Sequence, residues 1–359
     1  MAMQKDNNVL GAIVFFSYIA AALALTGLVT SDLQKAFTAW SSRSRRSRIH
    51  DRDRSVRVSL FAALSTLSFA VLSYHMLDFL IQSYQSWSSI SSSPAVLRPA
   101  PPRRTFEPFR AAIPWPPRTQ TQTLTWTSIW TWSISSNLFQ DFGEVICNDP
   151  QRFWWTQLAL IHSIGWNMYM SIQGTRLGIP HLFAYFLLDQ ILPVSFAQNL
   201  FLLSMIFREE EEEEEEEGRP IPTAATLYPA AVSLQCAVAL TYLGVVAAAP
   251  YSVATRYFFP VLFATRILLF APYQALSLVQ QESRSEQVHP GRTGSLMKEY
   301  GWFFAPVLVG GVLMQLAQTA RTSRFAGILA ALNCNPAVSA LGYDVLIGLS
   351  SVACFVNVG

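Results

Sequence analysis

The chain has 359 residues, 51% of them hydrophobic and only 13% charged, where a soluble domain carries about a quarter charged residues. Nine of its 23 acids form one run at 209–217, so a formal net charge of +2 hides a strongly basic remainder. Long apolar runs assign that excess to anionic lipid rather than nucleic acid. Four cysteines with no C-x-x-C pair and no metal-ligand spacing argue against a disulfide framework or a zinc site.

A membrane helix needs roughly 20 mostly apolar residues to cross a hydrocarbon core of about 30 Å. That rule predicts spans at residues 9–28, 59–81, 153–172, 179–207, 224–248, 258–278, 302–320 and 337–358. The predicted fold class is therefore all-α, a multi-pass transmembrane bundle of about eight helices. The first run is longer than a signal h-region and lacks a clear A-x-A site, so it reads as a span. Residues 325–332 are apolar but too short to cross, and read as interfacial.

Three connections stand out in chain order. Residues 29–57 hold Lys35 and seven arginines, and so basic a short loop stays cytoplasmic. That would set the N-terminus in the lumen, although basic residues over the remaining loops balance between the two sides. Residues 82–138 are rich in Ser, Pro and Trp and read as a low-complexity loop. Within it, TWTSIWTW (125–132) reads either as an interfacial amphipathic helix or as an accident of composition. The acidic stretch 208–222 reads as a solvated, self-repelling loop between spans four and five. These features divide the chain into 1–81, 82–138 and a six-helix membrane core at 139–359.

Titratable groups inside hydrocarbon are expensive, by roughly 2.5–3.5 kcal/mol on insertion scales, and so mark where chemistry is to be sought. They are His75 and Asp78, His162, His181 and Asp189, Arg266, and Asp344. Asp189 lies near the middle of the fourth span, with Tyr185 one turn before it on the same face. Pro193 one turn later frees the carbonyl of Asp189 and predicts a kink. A carboxyl withdrawn from water favours its protonated form and is then a competent general acid. The plainer alternative is a packing hydrogen bond to a neighbouring helix. Asp344 is a second such acid, and Arg266 is the natural counter-charge for either, or simply a structural ion-pair partner.

Just before the third span, Asp141 and Glu144 share a face if that segment is helical. They join Asp189 and Asp344 as candidate acids, or as cation ligands at a cavity mouth. Asn148-Asp149-Pro150 then reads as a helix start. Trp154 reads as an interface anchor, and Trp155, with Tyr185 and Arg266, as a substrate contact. Aromatic faces stabilise a carbocation as they do any cation. No Walker A, G-x-G-x-x-G, H-E-x-x-H, G-x-S-x-G or D-D-x-x-D pattern occurs, so no cofactor or metal is expected.

The segments FQDFGEVICNDPQRFWWTQ (139–157), GIPHLFAYFLLDQILPVSFAQNLF (178–201) and NPAVSALGYDV (335–345) resemble fungal integral membrane proteins of secondary-metabolite pathways. That group includes multi-pass terpene cyclases of ascochlorin- and macrophorin-type meroterpenoid pathways and a membrane protein of paxilline-like indole-diterpene pathways. The acidic run and the Ser/Pro/Arg loop depart from it. The resemblance implies a cyclase of the endoplasmic reticulum membrane that protonates a terminal alkene or epoxide of a prenyl chain. Its partners would be a lipid-soluble prenylated substrate and other enzymes of the pathway. The rival reading is a transporter or scaffold with no chemistry of its own.

Overall fold

The computed structural model describes residues 8–44, 51–92, 125–216, 229–253, 255–274, 309–321 and 323–358, with no strand among them. The helices are α1 (Val9–Ser44), α2 (Asp51–Ser92), α3 (Trp126–Ser135), α4 (Leu138–Cys147), α5 (Pro150–Arg176) and α6 (Leu182–Ile191). Then come α7 (Val194–Glu216), α8 (Pro229–Ser252), α9 (Phe258–Leu268), α10 (residues 309–321), α11 (Phe325–Leu332) and α12 (Pro336–Val358).

Four helices are long and apolar enough to cross a membrane: α1, α2, α8 and α12. α1 and α2 run for 36 and 42 residues, about 54 and 63 Å at 1.5 Å per residue. Leu10, Leu23, Leu67 and Leu77 stand exposed on them, a surface that suits lipid and not water. α5 has the length but carries Gln157, His162, Ser163, Asn167 and Ser171 through its middle, and its polarity keeps it out of this set. The predicted fourth span is divided into α6 and α7, whose apolar parts, Leu182–Ile191 and Val194–Arg208, are each too short alone, and the apolar helix of the sixth covers Phe258–Gln274. Residues 302–308 of the seventh lie outside the described residues.

The expected loops are largely helical. The described part of the basic stretch, 29–44 and 51–57, belongs to α1 and α2, because Lys, Arg, Gln and Ala keep good helix propensity, and residues 45–50 lie outside the described residues. Helix α2 continues to Ser92, and TWTSIWTW folds as α3, opened by a capping box between Thr125 and Ser128. α7 continues through Glu216, since glutamate is itself a helix former. Residues 93–124 and 217–222 lie outside the described residues. The start of α5 is as read: Asp149 accepts from the Arg152 amide at 2.9 Å and Pro150 holds the first helical position.

α12 is the centre of the bundle and packs on α2, α5 and α7. One buried cluster joins Phe61, Trp166, Met170, Phe186, Leu188 and Phe201. A second joins Phe79, Trp155, Tyr242, Val246, Ile328 and Val338. Interhelical hydrogen bonds cross these seams: Gln157 Nε2 donates to Gln315 Oε1, Gln315 Nε2 to the Leu243 carbonyl, and Gln198 Nε2 to the Gly348 carbonyl. Each such bond between membrane helices contributes about 0.6 kcal/mol.

Candidate functional site

The site is built around the gap between α6 and α7. Leu192 is extended there (φ −113°, ψ 178°), and its amide closes α6 on the Leu188 carbonyl. Pro193 has no N–H, so the ladder cannot run on. Its own carbonyl instead starts α7 by accepting from Phe196 and Ala197. The sequence predicted a kink in one helix; the chain breaks it. The carbonyls held at the break are those of Gln190 and Ile191, which accept from the Tyr18 hydroxyl at 3.4 and 2.5 Å.

A helix that starts inside a bundle brings orphan N–H donors with it. Asp344 of α12 satisfies two of them. Its Oδ2 accepts from the Val194 amide at 3.0 Å, and its Oδ1 accepts from the Ser195 amide at 2.9 Å and the Ser195 hydroxyl at 2.5 Å. The Ser195 hydroxyl also meets that of Ser68 on α2. Both oxygens of Asp344 are thus occupied, and a carboxylate suits the positive end of a helix. Expected as a second acid, Asp344 serves as a cap supplied by a distant helix.

Asp189 is different. It is 2% exposed. Its Oδ2 accepts from Asn167 Nδ2 of α5 at 3.0 Å and from Gln190 Nε2 at 3.2 Å. Its Oδ1 has no partner, and neither has Asn167 Oδ1, Gln190 Oε1 or the Tyr242 hydroxyl. A buried polar atom without a partner costs about 1–3 kcal/mol, so such a concentration marks a place where something is not yet satisfied. Arg266 is exposed and makes no ion pair with Asp189 or Asp344; its charge reaches Asp189 and Tyr242 only across space.

Beside this knot, a cleft of about 360 Å³ opens between α1, α6 and α7. Tyr185 and Ser204 stand in its wall, with their hydroxyls 2.5 Å apart. Asp32, Lys35, Phe207 and Arg208 complete it. Asp32 accepts from Lys35 at 3.2 Å and contacts His181 Nδ1 at 2.6 Å. His181 holds a left-handed backbone (φ 50°), three residues after Gly178 (φ 58°). For a non-glycine residue that conformation is uncommon and is kept only when its surroundings impose it. Asp189 and Asp344 do not line the cleft; Tyr185, one turn before Asp189, is the link between them.

The other predicted residues fall elsewhere. Glu144 accepts from Gln140 at 2.8 Å on α4. Asp141 lies one turn before Glu144 on the same helix, and no hydrogen-bond partner of Asp189 or Asp344 lies on α4. Trp155 is buried against α11 and donates to the Ile328 carbonyl at 2.8 Å, a tie between α5 and α11 away from Asp189 and the cleft lining. Sequence reading missed Asn167, Ser195 and the Asp32–His181 pair. Asn167 had a signal: Ser163, Asn167 and Ser171 recur every fourth residue and therefore share one face of α5. Among the described residues, no group of three or more His, Cys, Asp or Glu is placed to hold a metal ion.

Compared with known proteins, the chain matches no family model, no curated protein and no solved structure.

Proposed function

We propose that this is a multi-pass protein of the endoplasmic reticulum membrane, with about eight crossings, that cyclises a prenylated lipid-soluble substrate by protonation. The crossings beyond the four apolar helices would be α5 and the α6–α7 pair, largely buried by their neighbours, and α9 and α10, which expose Phe259, Phe263, Leu313 and Met314. The observation that carries the reading is Asp189: a buried carboxyl with one oxygen free of protein donors, one turn from Tyr185 in the cleft wall.

In this reading the prenyl chain enters through the cleft and lies along the face of α6 shared by Tyr185 and Asp189. Asp189 gives its proton to a terminal alkene or epoxide, the resulting cation closes rings, and the last cation returns a proton to the Asp189 carboxylate, which restores both the acid and neutrality. Fixed dipoles in a water-poor site act more strongly than in water. Aromatic faces near by, of Tyr185, Trp166 and Phe201, suit a cation. The sequence resemblance to fungal meroterpenoid cyclases supports the same class.

The test is to express the chain in a microsomal host supplied with a prenylated aromatic bearing a terminal epoxide. A cyclised isomer is expected, and Asp189→Asn should abolish it. Unchanged precursor from a correctly inserted protein overturns the proposal.

One observation favours the rival transporter. A membrane element broken into two half-helices, with a helix N-terminus inside the bundle, is how many transporters bind cargo. Here that N-terminus is already occupied by Asp344, which favours the cyclase. Deletion in a producing host separates them: a linear intermediate accumulates if a cyclase is lost, whereas a finished but mislocalised product means a transporter.

A further inference from the structure

We propose that Asp189 and Asn167 form a carboxylic acid–amide pair, with the carboxyl proton on Oδ1 of Asp189 donated to Oδ1 of Asn167. Asn167 is then a positioning residue that aims and holds the acid of α6 from α5. The role of this proton in a reaction rests on the cyclase reading above; the pairing itself can be observed without any substrate.

The argument is a hydrogen-bond inventory. Asn167 is fully buried, Asp189 nearly so, and they are joined by one bond, Asn167 Nδ2 to Asp189 Oδ2 at 3.0 Å. An amide side chain offers donors on nitrogen and an acceptor on oxygen, and an ionised carboxylate offers acceptors only. With the amide nitrogen engaged, the other atom of each group is an oxygen: Asn167 Oδ1 and Asp189 Oδ1, both buried and both partnerless. Two acceptors cannot satisfy each other. Under the proposal, a proton on Asp189 Oδ1 turns one of them into a donor for the other, and this second bond completes a two-bond ring with the observed one. One proton thus resolves two orphans and leaves no net charge on the Asp189–Asn167 pair. Gln190 adds to the same picture, since it gives its nitrogen to Asp189 Oδ2 and leaves its own oxygen partnerless. The contrast with Asp344 is instructive: there three donors converge, and no proton is called for.

Infrared spectroscopy of the full chain in lipid nanodiscs reads the pair directly. The expected result is a protonated-carboxyl C=O stretch that shifts when labelled aspartate is incorporated and disappears in Asp189→Asn. In Asn167→Leu, which removes both bonds but keeps the side-chain bulk, that band should move to higher frequency. If Asp189→Asn fails to insert, labelled aspartate and Asn167→Leu carry the test alone. Finding only ionised carboxylate bands overturns the inference, as does a band that Asn167→Leu leaves in place, which would mean that water or another group receives the proton. Carboxylate bands that change when sodium is replaced by potassium would mean a bound cation instead, and also overturn it. The band with no cyclised product would sink only the cyclase reading; product without the band would sink the pair and Asp189 as the acid, and leave cyclisation itself standing.

Discussion

Asp344 accepts both the amide and the hydroxyl of Ser195, at 2.9 and 2.5 Å, across 149 positions of sequence. Together with the Val194 amide, this makes a side chain of α12 the cap of α7. Ordinary caps sit beside the helix that they serve; this one joins two helices that the chain makes far apart.

Asp344→Ala should therefore behave as a stability mutation. It strands two buried N–H groups, while the Ser195 hydroxyl keeps Ser68, and is expected to lower stability by about 2–6 kcal/mol, given roughly 1–3 kcal/mol per orphaned group. Asp344→Asn, which keeps the shape and an acceptor, should lose less. Unfolding in mixed micelles checks both, and equal losses would discount the capping role.

Trp155→Phe separates packing from function. Loss of the bond to the Ile328 carbonyl should destabilise by about 1 kcal/mol, while the aromatic body still fills the space beside α11. Product formation per folded molecule should be unchanged. A large fall in turnover with intact stability would return Trp155 to the substrate.

Backbone strain at His181 predicts an inverted order of substitution. His181→Ala loses the pair with Asp32 and keeps the left-handed backbone, while His181→Gly loses the same pair and relieves the strain. The glycine variant should be the more stable by about 1 kcal/mol. Thermal scanning in detergent decides it.

Thiol chemistry offers a check on burial. Burial pushes the Cys147 thiol up to about 12, so almost none of it is thiolate near neutral pH, and thiolate is the reactive form. Cys334 is partly exposed. A maleimide followed by mass spectrometry should modify Cys334 well before Cys147, and early labelling of Cys147 would mean that α4 is not packed as described.

Helical class and an apolar membrane character were legible because both depend on composition and run length, which a single chain carries. The burial of Asp189 was legible because it lies in the middle of an apolar run. What escaped were facts of pairing. Pro193 announced a disturbance, but its outcome depended on Tyr18 and Asp344, which supply the partners that let the helix stop instead of bend. The bond of Trp155 was not legible, because an indole at a span end looks the same in sequence whatever its N–H meets; here it meets the Ile328 carbonyl. The basic and acidic stretches were taken for loops on charge alone, although arginine, lysine and glutamate are sound helix formers.

Tyr18 and Asp344 also set an order of events during biogenesis. The Tyr18 hydroxyl has to wait for Ile191, 173 residues later, and the Val194 amide for Asp344, 150 residues after it. At roughly 5–20 residues per second of translation, each half-formed junction persists for on the order of ten seconds before its partner leaves the ribosome. The broken element thus becomes whole only once α12 has been made, and until then it carries an unfinished polar seam.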